Sequence, residues 1–169
     1  MLNVLSLPKN TIMIQRIQTV FLVLVVLLGV LFSYFPILEF VGYEATYVMN
    51  AYKTVEITDV TNVIAKNMGV GVLQGLIVLI TLFIIFLYKK RQLQLKLAKL
   101  NILLVALQIA AIVMYSDTAK SAVGPNVNDV MVSLKLGAII PVITIILTYL
   151  AIHFIKKDDD LVRAADRLR

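Results

Sequence analysis

The chain has 169 residues, 60% of them hydrophobic and 15% charged, with a mean hydropathy of +0.93. A single small core cannot hide that much apolar surface, so the composition excludes a soluble domain. The net charge of +6 does not point to nucleic acid, because the basic residues cluster at the ends of apolar stretches, where they meet anionic headgroups. The absence of cysteine removes disulfides, thiolate metal sites and redox pairs.

Residues 1–12 are a poor beginning for a membrane span because Pro8 interrupts them. The helix is expected to start near Asn10 or Thr11, and Met13 offers a tighter start, which makes 1–12 a dispensable extension and 13–169 a single membrane domain. The first uncharged stretch, Ile17 to Leu38, is too long for the apolar region of a secretory signal and lacks a cleavage site before Pro36. It is read as a retained span that Pro36 stops.

The segment from Ile37 to Lys66 is the largest polar connection. Tyr, Val and Thr are frequent over Tyr47 to Thr58, and Lys53 to Thr58 alternates polar and apolar side chains, which reads as a short strand. A lone hairpin is marginal in water and needs the helices or the second connection to pack on.

Span 2 covers about 67–88. The basic connection Lys89 to Lys99 is short enough to make spans 2 and 3 an antiparallel hairpin turning at Lys90-Arg91-Gln92, with span 3 over about 93–116. The second polar connection, Asp117 to Lys135, carries the turn signal Gly124-Pro125-Asn126 and is too short for a domain. Span 4 covers about 136–155. Gly137 and Pro141 suggest a kink near its start, with Thr144 and Thr148 placed to bond back to freed carbonyls. In the tail, Asp159 lies four residues before Arg163 and Asp166 three before Arg169, both helical ion-pair spacings, so a short amphipathic helix at the membrane surface is expected.

Each uncharged stretch is long enough to cross a hydrocarbon core of roughly 30 Å. Basic residues are concentrated before span 1, between spans 2 and 3 and after span 4, while Lys53, Lys66, Lys120 and Lys135 are the only ones in the other two connections. The positive-inside rule then places both termini in the cytoplasm. The fold class expected is all-α: an antiparallel four-helix transmembrane bundle with a short extracytoplasmic loop region, room there for a small β hairpin, and a C-terminal cytoplasmic amphipathic helix.

The blocks Met13-Ile14-Gln15-Arg16-Ile17-Gln18 and Leu161-Val162-Arg163-Ala164-Ala165-Asp166-Arg167-Leu168-Arg169 resemble an uncharacterised family of short four-span bacterial membrane proteins, a domain of unknown function. Tyr88 to Gln94 and Leu100 to Leu104 are similar to its second connection. The resemblance implies the topology and a multi-pass inner-membrane location, and it implies no activity.

The uncharged stretches of the four spans, Leu100 to Ser116 in span 3, hold no Asp, Glu, Lys or Arg, so a proton-coupled transport centre has no carboxylate to work with. His153, the sole histidine, lies near the end of span 4 and reads as an interfacial residue rather than a haem or metal ligand. No catalytic, cofactor or metal residues are nominated. What the spans do hold is a polar pattern: Gln74 and Thr81 in span 2, Asn101 and Gln108 in span 3, each pair seven apart. A hairpin centred on Arg91 sets Thr81 level with Asn101 and Gln74 level with Gln108, an inter-helix polar ladder. Such bonds average about 0.6 kcal/mol in membranes, so they orient helices more than they hold them. Gly71 and Gly75 add a G-x-x-x-G face, read as close helix packing.

The function expected is that of a non-enzymatic structural or interaction protein. Its partners are the lipid bilayer and a protein met through the tail or the first outer loop, with no nucleic acid. The alternative is a small carrier or binder of an apolar or amphipathic molecule between the spans. An open cavity at the depth of Gln74 and Gln108, lined by Thr144 and Thr148, would favour the alternative.

Overall fold

A computed structural model describes residues 9–42, 45–88, 90–123 and 130–167. Four helices, α1 (Lys9–Tyr34), α2 (Met68–Phe86), α3 (Arg91–Val123) and α4 (Leu136–Arg167), carry most of the chain. All four are long and apolar enough to cross a membrane. Their outward surfaces agree with that: Leu27, Phe83, Leu103, Val113 and Ile146 are exposed on helices without charge beside them, a surface that lipid covers better than water. The chain is therefore a membrane protein by the character of its helices.

α1 packs on α2 and α4, and α3 packs on the same two neighbours. The helices bury narrow seams with steps of three and four residues, as in Gln94, Ala98, Asn101, Val105, Gln108 and Ile112 on α3. That spacing keeps one stripe of a helix against its partners along its length.

The expectation of an all-α chain with a hairpin is corrected. Five short strands, β1 (Leu38–Val41), β2 (Thr46–Met49), β3 (Lys53–Glu56), β4 (Val63–Lys66) and β5 (Met131–Leu134), form one antiparallel sheet in the order β4-β3-β2-β1-β5. The first connection supplies a four-stranded meander, and the second supplies β5, which joins β1 with Leu38 opposite Leu134 and Val41 opposite Met131. Four-residue strands need this company, since two alone are marginal in water. The turn signal at Gly124-Pro125-Asn126 lies outside the described residues.

The sheet is fastened to the helices by main chain and by burial. Ile37 N–H donates to Met49 O at 2.8 Å, Lys135 N–H to Ile37 O at 3.0 Å and Gly137 N–H to Pro36 O at 2.9 Å. Phe32, Ile37, Phe40 and Met49 are fully buried there with Val70 and Ile140. Asn67, ahead of α2, donates its side-chain amide to Thr54 Oγ1 at 2.8 Å and so fixes where α2 leaves the sheet. A second apolar cluster, Leu22, Ile84, Ala98 and Ala151, lies toward the other end of the helices, where the tail emerges.

Two helix limits also differ from expectation. α3 runs past Ser116 to Val123, taking Asp117 and Lys120 onto the helix. α4 continues unbroken through Pro141 and through the charged tail to Arg167, so the tail is no separate helix. Lys156 to Leu161 contains neither Pro nor Gly to break it. The pairing of Asp166 with Arg169 lies outside the described residues, as do residues 1–8.

Candidate functional site

The polar residues of the spans lie on the buried seams of α2 and α3, because steps of seven return a helical residue to nearly the same face. The structure brings the four together in two pairs. Asn101 Nδ2 donates to Thr81 Oγ1 at 3.0 Å, and Gln108 Nε2 donates to Gln74 Oε1 at 2.7 Å. Each pair continues into a relay that ends on a main-chain carbonyl. Thr81 Oγ1 donates to Ile77 O at 2.7 Å, within α2, whereas Gln74 Nε2 donates to Gly29 O at 3.1 Å and so reaches α1. The ladder expected between two helices thus ties three.

Gly29 makes that third contact available. A Cβ there would sit 2.6 Å from Val78 Cγ2 and 2.7 Å from Gln74 Nε2, so a larger residue would have to displace Val78 and the carboxamide. The G-x-x-x-G reading is corrected by the same test. A Cβ at Gly71 would meet the Tyr52 ring at 2.4 Å, a contact with the sheet, and one at Gly75 would meet nothing within 4 Å. Neither marks a close helix–helix crossing, because the deciding neighbour of Gly71 is the β2–β3 turn.

On α4, Thr144 and Thr148 are buried on the same axis, and Thr148 Oγ1 donates to Thr144 O at 2.7 Å. Below them the seam proceeds through Ala151 and Ile155 to Asp158, which is 1% exposed. Asp158 Oδ2 accepts from Arg91 Nε at 2.7 Å, and one residue on Asp159 Oδ2 accepts from Gln92 Nε2 at 2.6 Å. Asp159 also pairs with Arg163 at 3.0 Å, the ion pair that the tail spacing predicts. Gln94 Nε2 donates to Ile84 O at 2.9 Å and closes the α2–α3 turn. Sequence reasoning missed the Arg91–Asp158 pair. Its signal was present, since Asp158 is the next step of the four-three seam Thr144, Thr148, Ala151, Ile155.

Chemically, the axis is a set of neutral amides and hydroxyls bonded in pairs or to main-chain carbonyls. The side-chain oxygens of Gln18, Gln94 and Asn101 are buried and accept no hydrogen bond from the described residues, a setting that ordered water commonly satisfies. Nothing among these groups exchanges a proton near neutral pH. Among the described residues no cluster of three or more His, Asp or Glu could hold a metal. His153 is exposed, with its ring edge-on to Phe154 at 5.7 Å.

The family described as a domain of unknown function, DUF4293, matches residues 14–168. The chain belongs to that family. The match takes in both terminal blocks from which the resemblance was read except their outermost residues, Met13 and Arg169, and the family's description carries no activity. Comparison with curated proteins and with solved structures found no match.

Proposed function

We propose that this DUF4293 chain is a non-enzymatic structural or interaction protein: an antiparallel four-helix bundle spanning a bacterial inner membrane, both termini cytoplasmic and the sheet on the outer side. The observation that carries this reading is the bonded contact of α1, α2 and α3 at the depth of Gln74 and Gln108. The two carboxamides bond directly and Gln74 also engages Gly29, so the space among these three helices at that level is taken by side chains bonded to each other. The orientation rests on the basic residues flanking α1, the α2–α3 turn and the tail. A protein partner meets the sheet or the tail, the two parts that reach beyond the apolar lengths.

Copurification from gentle detergent, with mass spectrometry of retained proteins and lipids, tests the reading. A stoichiometric protein partner lost on deleting 159–169 or on replacing sheet residues supports it, whereas a small apolar cargo released by Gln74→Leu points to the carrier. Orientation is tested by single cysteines in this cysteine-free chain. An impermeant thiol reagent applied to intact cells should label position 44 or 126 and spare position 157.

A further inference from the structure

At the sheet end, α3 and α4 part around a half-open cavity of about 340 Å³. Its helical walls are Ile112 and Val113 of α3 with Pro141 and Val142 of α4, and Leu38 of β1 and Val132 and Leu134 of β5 line it from the sheet. The cavity has a structural cause. Lys135 and Gly137 bond to the main chain of Ile37 and Pro36, which draws the start of α4 toward α1, and a Cβ at Gly137 would sit 2.5 Å from Pro36 O. The gap opens on the other side, toward α3, where Ala138 is too small to fill it.

The cavity straddles a boundary. The uncharged stretch of α3 ends at Ser116, and that of α4 begins just after Lys135, which is paired with Glu39. The helical walls therefore lie within the apolar lengths, reaching about 12 Å down from Asp117 to the level of Ile109. Asp117 and Lys120 stand at the rim, their Oδ1 and Nζ 3.4 Å apart. Val113 and Val142, both exposed, open the cavity to the surface that lipid covers.

We propose that this cavity is a binding site for one zwitterionic phospholipid of the phosphatidylethanolamine class, with an acyl chain between α3 and α4, its phosphate at Lys120 and its ammonium at Asp117. An apolar recess on a lipid-facing surface loses contacts unless hydrocarbon fills it, and the leaflet alongside supplies hydrocarbon. The volume is at the small end of ligand sites, suited to a chain rather than a whole amphiphile. Rim charge selects the headgroup: a purely anionic lipid would satisfy Lys120 and set its charge against Asp117, whereas a headgroup with both signs meets both. The site goes beyond the interaction reading above, and lipid retention is measured separately from protein copurification.

The test is native mass spectrometry of the full chain titrated in detergent with phosphatidylethanolamine or phosphatidylglycerol. One phosphatidylethanolamine should be retained per chain, in preference to phosphatidylglycerol. Ala138→Phe should lower retention by about tenfold or more, and Asp117→Asn should lower the preference for ethanolamine over glycerol by about threefold. Should Ala138→Phe not fold by circular dichroism, Val113→Trp blocks the same cavity from α3. A folded, blocked variant that retains lipid as the unmodified chain does, or equal or stronger retention of phosphatidylglycerol, overturns the proposal.

Discussion

The two ends of the helices are held by different forces. At the sheet end, Phe32, Ile37, Phe40 and Met49 are fully buried and main-chain bonds lock the sheet to α4. At the tail end the apolar cluster is smaller, Leu22 with Ile84, Ala98 and Ala151, and the joint between α3 and α4 is polar, Arg91 to Asp158 and Gln92 to Asp159. The sheet end therefore depends on volume and shape, and the tail end on keeping a buried carboxylate partnered.

The largest effect should come from emptying the sheet end. Phe40→Ala removes a fully buried ring between sheet and helices and should cost about 3–5 kcal/mol in detergent unfolding. A much smaller loss would mean that the sheet is not part of the cooperative unit.

At the tail end, Arg91→Met should cost about 1.5–3 kcal/mol, because it takes the ion-pair partner from a carboxylate that is 1% exposed. Adding Asp158→Asn should recover part of the loss, and Arg163→Ala, which removes an exposed guanidinium from Asp159 while Gln92 still bonds it, should stay within about 0.5 kcal/mol. Equal effects of Arg91→Met and Arg163→Ala would erase the distinction between the two ends.

Between the ends, Leu substitutions at Gln74 and Gln108 should show a coupling of about 0.5–1.5 kcal/mol in a double-mutant cycle, while Gln74 with Asn101 should be additive. Gly29→Ala should destabilise by about 1–3 kcal/mol, since its methyl meets Val78 and Gln74. Gly75→Ala, with open space around it, should stabilise by about 0.5–1 kcal/mol. Coupling absent from the 74–108 pair would remove the axis as the link between the two ends.

The smallest effect concerns pH at the sheet. The Asp59 carboxyl is held below its ordinary value of 3.8, first by the Thr61 hydroxyl at 2.5 Å and then by the Thr61 amide at 3.0 Å. A depressed carboxyl stabilises the folded state above its ordinary value and loses that contribution as pH falls through the lower folded value. Asp59→Asn should therefore remove a slight stabilisation at neutral pH, and with it the slight loss of stability on acidification below pH 3.8. A change at pH 7 as large as that of Arg91→Met would count against assigning the sensitive charge to the tail end.

The sequence by itself determined the number of apolar helices, a tight reversal between α2 and α3, and the level pairing of Gln74 with Gln108 and Thr81 with Asn101, although the reversal falls at Leu87 to Lys90, ahead of Arg91 where α3 begins, and not at Lys90-Arg91-Gln92. Those features depend on spacing along one helix and on one short turn, which local periodicity encodes. Only the tertiary structure decided that β5 completes a sheet on β1, that Gly71 meets Tyr52 while Gly29 admits Gln74, and that Arg91 is the partner Asp158 meets on its seam. In each of these a residue's role is set by a neighbour from a distant connection or from a third helix. Four-residue strands carry too little alternation of their own to announce such a partner.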